Sequence, residues 1–470
     1  MKIALVHYHL RRGGVTSVLY RQAEVLREAG EEVLIAAGEA PPEDRGFPFV
    51  LVEALAYDRP AEGEASREEG AEDLGRALIA AMEGHWGTAA DIIHVHNPLI
   101  LKNTLLIPAL RFLTLRGFTL LLQNHDLAED FRPDVYVAKW EYPENCHYAV
   151  INRRDYSYLK RAGLREEGLH LIPNEVAPIE AVPGLARTRY LYPVRGIRRK
   201  NVGEALLVSL FIPRGRTVAI TLPPVGKDGG IYRRWMETAA ELGLPVEFDL
   251  GLSLSLPELF SSSFCALSTS VKEGFGFSFL EPWTADRALF GRRIDCVCRD
   301  FEAAGLRFDA LYRSVEIPSV YISPGLLRTK MEKAIRGVYR SFGVEISSRV
   351  LRMIDDDLSS GETVDFGRLD EEFQISVIRI MAKNPVVLRD VASANPFLRS
   401  LADWRPSEDL IRYNSEAVRL MYGRDRMAGI LLDTYRKVLD RQVIQKLSKP
   451  ILLDLYLEPL RFSLVGLGGG

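Results

Sequence analysis

The chain opens on a short apolar run, KIALV, which passes through HYHLRRGG into SVLYRQAEVLREAG, where apolar residues recur at helical spacing as far as Gly30. EVLIAAG then resumes an unbroken apolar run. A run without alternation reads as a strand buried on both faces, and strand, glycine turn, helix, strand is the unit of a parallel sheet. DIIHVHNP, TLLLQNHD and HYAVIN repeat the strand signal. Residues 61–73 are acidic and small and read as a surface loop or the solvated start of a helix. IPNEVAPIEAVPG, from Ile172 to Gly184, has the proline and glycine content of a linker.

After that linker the pattern restarts. RYLYPVRGIRRKN, TVAITLP and PVEFDLG carry strand signals, RRWMETAAELG a helical one, and SLPELFSSS and FCALSTSVKEGFGFSFLEPW follow. From about Ser323 to Leu447 the spacing is mainly helical. The expected architecture is α/β, with two Rossmann-like domains facing a central cleft and an additional helical C-terminal region. Its boundaries are 1–185 for the first domain and 186–425 for the second, which includes the helical insertion from about 323. A crossover helix and tail over 426–470, with LLDTYRKVLDRQVIQKL as the helix, would pack back on the first domain.

Composition narrows the function. At 470 residues the chain exceeds one ordinary core, and 47% hydrophobic with 26% charged residues is globular. A formal charge of −3 excludes a protein built mainly to grip nucleic acid, while leaving room for basic patches. Four cysteines are too few for a disulfide scaffold, and Cys296 and Cys298 have no histidine near them in sequence, so the expected compartment is the reducing cytoplasm. The opening apolar run is too short for a signal peptide. Lys102, Arg111 and Arg116 interrupt the stretch from Leu99 to Leu122, so it is no simple membrane span, although peripheral membrane contact stays open. All eight histidines precede residue 171, which gives the first third a composition of its own.

Three motifs carry chemistry. Gly13-Gly14 stands at the first strand-to-helix turn, where a bare backbone admits a phosphate to the helix N-terminus; no G-x-G-x-x-G accompanies it, which argues against a dinucleotide oxidoreductase. Arg195 and Lys200, five apart after the first strand of the second half, offer two cations to a diphosphate, although a solvated basic loop has the same composition. Glu273 and Glu281, eight apart in KEGFGFSFLEP, flank a glycine turn, with Glu273 at the mouth of a helix and Glu281 one to two turns inside it. Carboxylates bind sugar hydroxyls well. His94 and His96 share one face of a strand, half a metal site or a packed pair, and Asp355-Asp356-Asp357 reads as surface charge.

GGV after the first strand, R-x4-K and E-x7-E, together with DIIHVHNP, NHD, AVINRRD and LIPNEV in this order, resemble the retaining glycosyltransferases of family 4, which have the GT-B fold. The resemblance covers roughly residues 1–290. It implies that Gly13 and Gly14 face the diphosphate of a nucleotide sugar, that Arg195 and Lys200 bind the same group, that Glu273 contacts the transferred hexose and that Glu281 holds the ribose. Backbone N–H groups of Gly274, Phe275, Gly276 and Phe277 would line sugar and phosphate. His125 matches a histidine near the transferred sugar and the acceptor. After Trp283 the chain departs from the family pattern, with GRRIDCVCRDFEAAGLRFDALY in place of a Gly-Gly-x-x-E loop.

The activity implied is a metal-independent hexosyl transfer with retention, from a UDP- or GDP-hexose as co-substrate and with no further cofactor. Arg11, Arg12, Arg132, Arg153 and Arg154 fall near loops of the first domain. They are solvated surface charges or the grip on an anionic acceptor, such as a sugar phosphate or a small hydroxy acid. A GT-B epimerase or phosphorylase, or a nucleotide-sugar-binding module without catalysis, would share much of this pattern.

Overall fold

The computed structural model describes residues 1–57, 64–226, 228–359, 361–458 and 462–466, and the chain divides into two compact units. The first comprises Met1–Glu175 and Tyr422–Leu457; the second comprises Val176–Met421 and Glu458–Gly470.

In the first unit, seven strands form one parallel sheet: β1 (Lys2–His7), β2 (Glu32–Ala37), β3 (Phe49–Leu51), β4 (Ile92–His96), β5 (Leu120–Asn124), β6 (His147–Val150) and β7 (Leu169–Leu171). Their order is β3-β2-β1-β4-β5-β6-β7. Alternate residues serve opposite faces. Ile3 and Leu5 of β1 pack with α1 (Gly14–Glu28) and with the returning helix Arg424–Asp440, through Leu19, Leu26, Leu431 and Tyr435. Ala4 and Val6 face the opposite core, built with α2 (Glu64–Trp86), α3 (Leu106–Leu115) and α4 (Arg153–Arg161). Each fully buried Leu or Ile contributes about 2 kcal/mol. Of the acidic stretch 61–73, residues 61–63 lie outside the described residues and the rest lies in α2.

The returning helix stops at Asp440, short of the helical spacing in the sequence, because Gln445 is used otherwise. Its Nε2 donates to the carbonyls of Cys146 (2.8 Å) and Gly168 (3.0 Å), pinning an extended segment to the sheet edge. The expectation laid all of 426–470 on the first domain, whereas Glu458–Gly470 belong to the second unit. There Leu464 N–H donates to Arg368 O (3.0 Å) and Ser463 Oγ to Gly367 O (2.6 Å). Residues 459–461 and 467–470 of the apolar tail lie outside the described residues.

The second unit holds a parallel sheet of β8 (Arg189–Arg195), β9 (Thr217–Leu222), β10 (Val246–Glu247), β11 (Ser263–Ser268), β12 (Leu289–Arg292) and β13 (Leu311–Tyr312), in the order β10-β9-β8-β11-β12-β13. Five helices accompany it: α5 (Val202–Ser209), α6 (Gly229–Leu242), α7 (Leu256–Ser261), α8 (Glu281–Thr284) and α9 (Asp295–Ala303). Pro193 interrupts the central strand β8, and the register against β9 shifts between Tyr192 and Arg195. A two-stranded antiparallel ribbon, β14 (Glu316–Pro318) with β15 (Thr363–Asp365), links this sheet to the helical region. That region runs through α10 (Pro324–Ser341), α11 (Ser348–Ser359), α12 (Glu371–Lys383), α13 (Pro385–Ala394), α14 (Pro396–Ser400) and α15 (Glu408–Tyr422). Among the described residues no helix is long and apolar enough to cross a membrane.

In both sheets the strand order reverses beside the first strand, and open α/β sheets bind ligands beyond the carboxyl ends at that switch point. The switch lies at His7 and His96 in the first unit and at Arg195 and Ser268 in the second.

Candidate active site

In the second unit, β8 leads through Gly196 into a single 3-10 turn, Arg198–Lys200, and then to Asn201, whose backbone is left-handed (φ 51°). β8 and the segment that follows β11 hold this turn. Tyr192 Oη donates to Lys200 O (2.6 Å), Thr269 Oγ1 donates to Asn201 O (3.0 Å), and Val271 N–H donates to Arg199 O (3.0 Å). The Lys200 ammonium is thereby delivered to Glu273, which it meets at Oε1, while Arg199 Nη1 lies 3.3 Å from Oε2. Both partners are buried: the side chain of Lys200 is 13% exposed and that of Glu273 7%.

Burial draws the Lys200 ammonium down from its ordinary range, and Glu273 opposes that shift. Burial would raise the Glu273 carboxyl, but Lys200 and Arg199 outweigh it and hold the group below the usual carboxylate range. The loop that follows is ordered by aromatic packing, with the Phe275 and Phe277 rings 5.1 Å apart and Phe275 also against Phe301 at 5.7 Å. Gly276 has φ 98°, and a Cβ there would stand 2.7 Å from Val297 Cγ1, so this turn requires glycine.

The helix expected after Glu273 is shorter than the spacing suggested. Phe277–Phe279 is one 3-10 turn, and Glu281 is the first residue of the four-residue α8 rather than one to two turns inside a longer helix. Pro282, which has no N–H, stands at its start. Glu281 acts on Lys200 electrostatically. Arg195 ends β8 exposed, with Nη1 donating to Pro223 O (3.0 Å), so Arg199 and not Arg195 stands with Lys200 on Glu273.

In the first unit, Gly13 caps α1 in extended conformation, and a Cβ on Gly14 would meet nothing within 4 Å, leaving the helix N-terminus open. Four histidines line the switch point behind it. The His94 and His96 rings stack at 4.4 Å, His96 Nδ1 lies 3.1 Å from His125 Nε2, and His7 Nδ1 lies 3.0 Å from His96 O. Asn97, left-handed at φ 59°, accepts the backbone N–H groups of His125 (3.1 Å) and Asp126 (3.0 Å) on Oδ1. Burial pulls His125 down to about 4 and His7 and His94 to about 3. His125 is therefore a neutral imidazole, and a single proton serves the contact between its Nε2 and His96 Nδ1.

The arginines expected at an acceptor are dispersed. Arg11 forms a bidentate pair with Glu39 (2.6 and 2.5 Å), Arg132 pairs with Asp126 (2.7 Å), and Arg154 pairs with Asp130 (3.0 Å). Arg12 and Arg153 are exposed. Of the acidic triplet on α11, Asp355 meets Arg328 at 3.2 Å and Asp357 meets Arg368 at 2.5 Å.

No family model matches the chain. Mannosylglucosyl-3-phosphoglycerate synthase of Petrotoga mobilis is 25% identical over 342 residues, 63% of this chain, and the match spans 66% of that relative's length. Sucrose-phosphate synthase from Thermosynechococcus elongatus superposes with a TM-score of 0.54 at 16% identity, over 93% of this chain and 99% of that one. HepE of Anabaena, solved with UDP-glucose, superposes with a TM-score of 0.55 at 11% identity, over 93% and 99%.

The fold is GT-B.

Within this GT-B chain, sequence reading missed Arg199, Asn97 and Asn201. The RRK run offered two candidate cations beside Lys200, and only the 3-10 turn decides which reaches Glu273. The asparagines carried a signal, since Asn97 follows a strand end, Asn201 closes a turn, and asparagine tolerates the left-handed region.

Proposed function

We propose that the chain is a retaining hexosyltransferase that moves a hexose from a nucleotide-diphosphate sugar to a hydroxyl of a small anionic acceptor. The observation that carries this reading is the buried Lys200–Glu273 pair at the switch point of the second unit. A cation and a carboxylate fixed side by side there suit the two halves of a nucleotide sugar. Lys200 and Arg195 bind the diphosphate and Glu273 the hexose hydroxyls, while Glu281 takes the ribose, Arg199 adds a third cation, and Gly274–Phe277 line the sugar.

In the reaction, the bond from the anomeric carbon to the diphosphate oxygen breaks as the acceptor oxygen bonds to the same face of that carbon. The acceptor proton passes to the departing phosphate oxygen. Lys200 and the neighbouring arginines stabilise the charge that develops on the leaving group, so protein cations serve where other transferases use a metal. The acceptor is assigned to the first unit, whose switch point carries His125 and the N-terminus of α1. A relative named for mannosylglucosyl-3-phosphoglycerate supports an acceptor that carries phosphate or carboxylate.

The test is a screen of UDP-, GDP- and ADP-hexoses against 3-phosphoglycerate, its glucosyl derivative and hexose phosphates, read by mass spectrometry. The expected result is a product heavier than one acceptor by one hexosyl unit, with release of nucleoside diphosphate. Binding without a product, conversion of the donor alone, or transfer only to inorganic phosphate would overturn it.

A further inference from the structure

The helical region after Ser323 is not only surface packing: two of its side chains reach into the turn that presents Lys200, and a third is tied to it through two further residues. Glu371, at the start of α12, takes the Arg198 guanidinium in a fork, with Arg198 Nη2 2.9 Å from Oε2 and Nε on Oε1. Arg198 is held on its other sides by Asp228 Oδ2, which accepts its backbone N–H (3.1 Å), and by Leu464 O (3.2 Å). One turn along α12, Gln374 Nε2 donates to Asn201 Oδ1 (2.8 Å) and to Phe366 O (3.0 Å). Lys200 lies between Arg198 and Asn201 in the chain, so both flanks of its turn are fixed from α12.

A second line runs from β15. Asp365 accepts from Arg292 Nη1 (2.8 Å) and Nη2 (2.7 Å), and Arg292 also donates to Glu204 through Nε (2.9 Å) and Nη2 (2.6 Å). Glu204 closes the circuit by accepting from Asn201 Nδ2 (2.8 Å) and from Tyr312 Oη (2.8 Å). Glu204 and Gln374 are fully buried, Asn201 is 1% exposed and Arg292 5%. The chain is thinned to admit these groups. A Cβ on Gly203 would stand 2.3 Å from Gln374 Oε1, and one on Gly367 would stand 2.7 Å from the Arg292 guanidinium.

A buried ion network adds little net stability over apolar packing, because desolvating its charges costs about what their attraction returns. Its value is geometric. We infer that the helical region is a brace for the donor loop, in which Glu371, Gln374 and Asp365 are positioning residues that fix Lys200 against a terminal phosphate through Arg198, Asn201 and Glu204. This rests on the reading of Lys200 and Glu273 as a diphosphate-sugar site.

The test measures by calorimetry how much tighter UDP binds than UMP, and GDP than GMP, in the full chain. Lys200→Ala is expected to abolish that advantage. Glu371→Gln and Gln374→Met, which keep side-chain volume, are expected to shrink it about tenfold, with UMP or GMP affinity unchanged and Tm within a few degrees of the parent. A purely structural role would lower Tm and leave the ratio alone. If Glu371→Gln does not fold, Gln374→Met carries the test, since it leaves the Arg198 pair intact. A parental ratio in the α12 variants alongside a lost ratio in Lys200→Ala would overturn the brace and keep the site. A parental ratio in Lys200→Ala, or no nucleotide binding at all, would overturn both.

Discussion

Lys200 and Glu273, 73 residues apart in the chain, form a buried ion pair at the point where the strand order of the second sheet reverses. Removing one member leaves the other charge in a poorly solvated place, with Arg199 and the Ser270 hydroxyl left to accompany Glu273. Lys200→Met is therefore expected to cost about 3 kcal/mol of stability. The double variant Lys200→Met with Glu273→Leu is expected to recover most of it, since neither charge is then stranded. Chemical denaturation checks the stability, and neither protein should transfer hexose. A double variant no more stable than the single one would show that the pair is not isolated from water.

Acid should unfold the first unit early. His7, His94, His96, His125 and His170 are buried, and burial lowers all five from an ordinary value of 6.5, His125 to about 4 and His7, His94 and His170 to about 3. Well above pH 6.5 neither folded nor unfolded imidazoles are protonated, and these groups do not affect stability. Between about 6.5 and 4 the unfolded chain binds protons that the folded one refuses, so stability falls as pH falls. Glu129, raised by burial to about 7, and Glu175, also raised by burial, oppose this, but the histidines outnumber them. Tm is expected to drop steadily across that window, and His170→Asn should reduce the slope. A flat profile from pH 6.5 to 4 would contradict it.

Asn201 sits at φ 51° and ties α12 to the turn that carries Lys200. Asn201→Gly and Asn201→Ala both lose its side-chain bonds, but only alanine also strains the backbone. Alanine is expected to lower stability by about 1 kcal/mol more than glycine. Equal midpoints in urea would remove backbone conformation from the account of this turn.

The fold was legible because parallel strands buried on both faces read as plain apolar runs: KIALV, EVLIAA and TVAITL all fall in strands of the two sheets. The candidate site was legible residue by residue but not as a constellation. Glu273 and Lys200 were each recognisable as chemistry-bearing, yet Arg195 and Arg199 have the same composition and differ only in how the 3-10 turn aims them. The brace was invisible, because Arg198 meets Glu371 across 173 residues and no local spacing encodes that contact. The short β3 and β7 also left no periodic signal, being three residues each.

Gly276 is expected to separate folding from donor binding. Alanine there meets both an unfavourable φ of 98° and the Val297 side chain at 2.7 Å, so the Gly274–Phe277 turn must shift. Gly276→Ala should fold, with Tm lowered by several degrees, roughly the effect of 1–3 kcal/mol. Its affinity for a nucleotide sugar should fall about tenfold or more. Parental affinity would take this turn out of the site.

The most direct test of the central claim follows the reaction by proton NMR, with an α-linked UDP- or GDP-hexose and a phosphoglycerate-type acceptor, for the parent chain and Lys200→Ala in parallel. The account predicts an α-linked hexosyl product and stoichiometric nucleoside diphosphate from the parent, with turnover lost in the variant. A β-linked product, or equal turnover in both proteins, would contradict it.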